Sequence, residues 1–130
     1  MQLTHDRAEG YFFIRAVRTG SVVVVDRELH ASFLIAPDSV VEDWPVRAPA
    51  DIDARAMDAL LELDPEVVIL GTGVRQAFPP QTALLPVLRK GIGVEVMDNA
   101  AAGRTYNLLA TEGRRVVAAF MLPGRGQALA

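Results

Sequence analysis

The stretch GIGVEVMDNAAAGRTYNLLATEGRRVVAAFMLP, Gly91 to Pro123, decides the fold class. Ile92 to Met97 alternates branched apolar residues with others and predicts a strand. Asn99 is suited to the N-cap of a helix running from Ala100 to about Glu112, which Gly113 closes. Arg115 to Leu122 is then the last strand. Strand, helix, strand in this order predicts parallel pairing through a crossover.

The pattern extends backwards. Asp51 to Leu63 places Ile52, Ala56, Leu60 and Leu63 on one face, with Asp51 as its N-cap and Pro65 as its stop. Glu66 to Leu70 reads as a buried strand ending in Gly71-Thr72-Gly73. Gln81 to Lys90 reads as a helix closed by Gly91. Pro86 within it means that the helix either begins late, near Thr82 or Ala83, or is kinked.

The first half reads as β. Tyr11–Val17, Ser21–Val25, His30–Ala36 and Val40–Trp44 are four short strands separated by Arg18-Thr19-Gly20, Asp26-Arg27-Glu28 and Pro37-Asp38-Ser39. Their spacing predicts an antiparallel meander, and the near-continuous valine run of Ser21–Val25 is expected to be covered on both faces. The expected architecture is α/β in three layers: a central mixed sheet, partly parallel, flanked by helices and joined to that meander. One domain over residues 1–130 is expected, with an ordered core of about 3–123 and a tail over 124–130.

Composition narrows the function. At 130 residues, 51% of them hydrophobic and 22% charged, the chain suits one globular domain. There is no cysteine, so thiol catalysis and disulfides are excluded. A net charge of -3 argues against a nucleic-acid partner. The adjacent Arg114 and Arg115 read as a solvated or salt-bridged strand end. No run approaches the roughly 20 apolar residues of a membrane span, and the first residues lack the apolar core of a signal peptide. A cytoplasmic location is expected.

Candidate site residues cluster at two strand ends, because ligands in open α/β sheets sit beyond the carboxyl ends of parallel strands. Gly71, Thr72 and Gly73 form one edge, whose glycines allow close backbone approach or simply make a tight turn of positive φ. Asp98 and Asn99 form the other, with Thr105 and Asn107 on the following helix. There the free amides of a helix start could meet a ligand, or the two side chains could be spent on capping. Gly103, in a helix interior, predicts a close approach by a neighbouring strand. Trp44 and Phe78, each beside proline, are candidate partner anchors if exposed; the alternative is that they close the edge of the core.

A catalytic constellation is missing. His5 and His30 are the only histidines and lack metal-ligand spacing, so no metal is expected. Ser21, Ser32 and Ser39 lie in no nucleophile elbow, and no phosphate-binding glycine loop occurs. No catalytic residue and no cofactor is assigned.

Gly71-Thr72-Gly73, Gly91 to Asp98, Thr105-Tyr106-Asn107 and Glu112-Gly113-Arg114 together resemble a small domain-of-unknown-function family. Its human relatives include a mitochondrial complex I assembly factor and an adipogenesis-associated cytoplasmic protein. The resemblance covers about residues 3–123. It implies a three-layer α/β fold with a central mixed sheet, and protein partners among respiratory-complex subunits or their assembly proteins. The family offers no catalytic residue to carry over. This chain has Asn99 where threonine is frequent and Gly103 where cysteine is frequent. Its single lysine, Lys90, among many arginines has a bacterial look. The expected function is a non-enzymatic binding protein that assists assembly of a respiratory-chain complex. The alternative is a small-molecule binder or enzyme using the cleft between the strand ends. A homo-oligomer is a third expectation.

Overall fold

The computed structural model describes residues 2–3 and 10–124. The expected tail from 125 onward and His5 lie outside the described residues. The elements are β1 (Gln2–Leu3), β2 (Ile14–Val17), β3 (Val22–Val24), β4 (Arg27–Leu29), β5 (Ala31–Ala36), β6 (Ser39–Glu42), a 3-10 turn (Pro49–Asp51), α1 (Ala54–Leu61), β7 (Val67–Gly71), α2 (Gln81–Arg89), β8 (Gly93–Met97), α3 (Asn99–Thr111) and β9 (Val116–Pro123).

Six strands form one mixed sheet in the order β1-β6-β5-β9-β7-β8. β7 runs parallel to both β8 and β9, and β9 runs antiparallel to β5. Alternation along β9 shows why it is central. Val116, Ala118, Phe120 and Leu122 enter one core, while Val117, Ala119 and Met121 enter the other. The first core lies under α3 and the small sheet, where Phe33 and Phe120 stack with centroids 5.2 Å apart. The second lies under α1 and α2 and includes Trp44. The result is three layers around a mixed sheet.

The expected antiparallel meander is present as a three-stranded unit, but it does not run on through all the N-terminal strands. β2, β3 and β4 make a separate three-stranded antiparallel sheet, whereas β5 and β6 join the main sheet. In β3, Val22 and Val24 are buried but Val23 is only half-buried, so the valine run is fully covered on one face and not on both as expected. The segment from Arg27, expected to be a turn, is strand β4, paired with β3 through Val24 opposite Arg27. The turn lies instead at Val25 and Asp26, with Val25 at a φ of 55°. A branched residue is strained there. The Val25 amide donates to Phe13 O at 3.1 Å, and this tertiary bond holds the turn. β5 parts from β4 because Ser32 to Ala36 are buried, so this strand needs cover on both faces.

The helix starts also differ. Asp51 does not cap α1; its carboxylate accepts from the Arg47 and Ala48 amides around the 3-10 turn. Asp53 caps α1, accepting from Ala56 N at 2.9 Å. α2 begins at Gln81 and carries Pro86 in its interior, so the late start did not occur. Arg114 and Arg115 are salt-bridged to Glu66 and Asp64.

Candidate functional site

The carboxyl ends of β7 and β8 meet the start of α3. Sequence expected Asn99 as the cap of this helix, but Asp98 takes that role, accepting from Ala101 N at 2.8 Å. Asn99 is the first helical residue, and its side chain points inward, 3% exposed. Its Oδ1 accepts from Gly73 N at 3.1 Å and its Nδ2 donates to Met121 O at 3.0 Å. Its own amide donates to Gly73 O at 2.8 Å. One side chain thus ties the β7 exit loop, α3 and β9 together.

The neighbouring candidates are engaged in the same way. The Thr72 hydroxyl donates to Arg75 O at 2.6 Å and accepts from Ala77 N at 3.1 Å, closing the loop after β7. Gly73 turns that loop with a φ of 101°. Gly71 is required by space, since a Cβ there would lie 2.5 Å from Asn99 Oδ1. Asn107 is turned towards the small sheet. Its Oδ1 accepts from Ile14 N and its Nδ2 donates to Ile14 O, both at 2.8 Å, so the amide behaves as a further rung of β2. Gly103 lets β2 come this close, because a Cβ there would meet Val17 Cγ2 at 3.0 Å. Thr105 is half-buried on α3 and lines none of the hollows near the strand ends.

A hollow of about 220 Å³ remains here, lined by Val17, Arg18, Thr19, Gly73, Val74, Asp98, Asn99 and Ala100. It brings Gly73, Asp98 and Asn99 together, but not Thr105 or Asn107. Sequence reasoning missed Arg18 and Thr19, which the small sheet carries to this rim. Arg18 lies 3.2 Å from Glu28, so its charge is partnered. The Ser21 hydroxyl, bonded to Glu28, holds that carboxyl below its ordinary range; burial opposes this and Arg18 reinforces it. Among the described residues, no group of three or more His, Cys, Asp or Glu side chains could hold a metal. No helix there is long and apolar enough to cross a membrane. A larger hollow, about 360 Å³, lies at the opposite end of the parallel strands between Tyr11, Asp38, Leu63 and Arg115.

The two aromatic candidates part company. Trp44 is 4% exposed, and its indole Nε1 donates to Ala56 O at 3.1 Å, so it closes the core against α1 and is not an exposed anchor. Phe78 is 73% exposed and Val74 66%, both on the loop between β7 and α2.

The chain is similar to proteins from several sources. It is 33% identical over 119 residues to the bovine (Bos taurus) NADH dehydrogenase [ubiquinone] 1 alpha subcomplex assembly factor 3, covering 90% of this chain and 64% of that protein. It therefore spans just under two thirds of that relative. It is 26% identical over 117 residues to the 13 kDa major membrane protein of Francisella tularensis, covering 89% of this chain and 95% of that protein. The solution structure of a Xanthomonas campestris protein superposes with a TM-score of 0.81 at 44% identity, over 92% of this chain and 91% of that one. That of a Bordetella pertussis protein described as a Mth938-like domain superposes with a TM-score of 0.77 at 34% identity, over 95% and 94%. The family model described as a protein of unknown function, DUF498/DUF598, matches residues 14–121. The chain belongs to this DUF498/DUF598 family.

Proposed function

We propose that this chain is a non-enzymatic binding protein of the cytoplasm that assists assembly of a respiratory-chain membrane complex. The observation that carries the reading is the use of polar side chains at the strand ends. Thr72, Asp98, Asn99 and Asn107 each bond to the protein's own backbone, so groups that could do chemistry serve to fix loops, the start of α3 and strand β2. Similarity to an assembly factor supports the choice of client. The loop carrying Val74 and Phe78 supplies exposed apolar side chains for a protein partner, beside a core that holds the loop in place. Affinity capture from the native host, membranes included, with cross-linking and mass spectrometry tests the reading. Enrichment of respiratory-complex subunits or their assembly proteins supports it. A preparation that retains none of these contradicts it.

A second reading has one observation in its favour. The hollow beside Arg18, Thr19, Gly73 and Asp98 lies at the carboxyl ends of parallel strands, the usual ligand position in such sheets. It would hold a small molecule, which native mass spectrometry of the purified protein would detect as an added mass.

A further inference from the structure

The six-stranded sheet ends on one side at β8, whose outer edge pairs with no other described strand. Hydrogen-bonding groups alternate in direction along a strand, so two bonds fix which of them face outward. Met97 O accepts from Thr72 N at 2.9 Å and faces β7. Val96 O faces the other way, where, among the described residues, the side chain of Gln76 meets it at 2.8 Å. Val94 and Ile92 share the outward direction of Val96. The side chains alternate as well. Ile92, Val94 and Val96 pack into the core under α1 and α2, whereas Gly93 and Glu95 are exposed on the opposite face.

The sequence along this edge fits its own copy in an antiparallel register. With a two-fold axis at Val94, Val94 faces Val94 of the other copy and Ile92 faces Val96. All three residues turn their backbone groups outward, as hydrogen-bonded antiparallel pairs require. On the opposite face the same register sets Gly93 across from Glu95. Moving the axis to Glu95 would set two carboxylates directly opposite each other, which is destabilising. α2 packs over the face that carries the valines and leaves Leu85 39% and Leu88 48% exposed, apolar surface for the second copy's helix. We propose that β8 is a self-pairing edge: two copies of this chain join antiparallel about an axis at Val94, with Gly93 opposite Glu95, and extend the sheet through the dimer. The Gln76 side chain then gives up Val96 O to the Ile92 amide of the second copy. This inference is independent of the proposed assembly role, since a protein without that role would still dimerise.

Position 93 tests both the pairing and its register. Gly93 is exposed, and a Cβ there meets nothing nearer than Val67 Cγ2 at 3.9 Å, so side chains fit without disturbing the fold. Gly93→Glu sets like charges across the axis twice, and Gly93→Lys sets opposite charges twice. Sedimentation equilibrium on the full chain is expected to show a dimer whose dissociation constant rises about 2- to 30-fold in Gly93→Glu and falls in Gly93→Lys. Hydrogen exchange on the unaltered protein is expected to show the Val94 and Val96 amides gaining protection as concentration rises. A chain that stays monomeric at the highest soluble concentration overturns the proposal. So does a dimer on which the two charges act alike, or one whose Val94 amide exchanges independently of concentration.

Discussion

Gly71 and Asn99 stand so close that a methyl group does not fit between them: a Cβ on Gly71 would lie 2.5 Å from Asn99 Oδ1. The glycine is needed because the amide is buried and bonded to Gly73 N and Met121 O. Gly71→Ala is expected to cost about 1–3 kcal/mol through overpacking. Asn99→Ala is expected to cost about 2 kcal/mol or more, since it leaves the part-buried Gly73 amide and the buried Met121 carbonyl without this partner. Denaturant unfolding of both variants and of their combination checks the relationship. The double variant should lose less than the two single losses added, because removing the amide relieves part of the clash. Strict additivity would contradict it.

The small sheet rests on α3 through Gly103 and Asn107. Gly103→Leu is expected to push Ile14 and Val17 away and to lower stability by about 1–3 kcal/mol. Amide exchange should show β2 losing protection well before β9. Equal loss in both strands would contradict a local role.

Trp44 is the sole tryptophan, so it reports its own surroundings. At 4% exposure it should resist quenching by acrylamide in the native state and become quenchable on unfolding. Trp44→Phe keeps most of the packing but loses the bond to Ala56 O, at a cost of about 1 kcal/mol. A freely quenched native tryptophan would contradict its place in the core.

Acid should weaken the turn before β9. The Arg115 amide holds the Glu66 carboxyl below its ordinary 4.5; burial opposes this and Arg114 adds to it. The unfolded chain therefore takes up this proton at a higher pH than the native chain. The contribution is complete above the ordinary value and is lost as pH falls through the lower native one. Thermal melts of the wild type and of Glu66→Gln should differ most near neutrality and converge in acid. A difference that persists or widens in acid would contradict the assignment.

Part of the main sheet was legible: Glu66 to Leu70 reads as a buried strand because its last four residues are all apolar. That the last strand, Val116 to Leu122, lies between two cores shows only in the structure. The division of the N-terminal strands was not legible. The valine run hides a turn at Val25, whose φ of 55° is imposed by a bond to Phe13 rather than by its own preference. The start of α1 was missed by two residues because Asp51 and Asp53 are equally good caps locally, and only the preceding 3-10 turn distinguishes them. The strand-end cluster was legible, with capping by Asp98 and the positive-φ turn at Gly73 among its readings, but the long-range bonds of Asn99 were not. Asn99 bonds to Gly73 and Met121, 26 and 22 positions away, and no local pattern encodes those contacts.

The assembly role is tested most directly in a deletion strain of a host that oxidises NADH through this complex, by native-gel quantification of the assembled complex. Deletion is expected to deplete the complex and wild-type chain to restore it. A chain carrying Val74→Asp and Phe78→Asp, two changes at exposed positions, is expected to fold normally and fail to restore it. Full assembly of the complex without this protein would contradict the account.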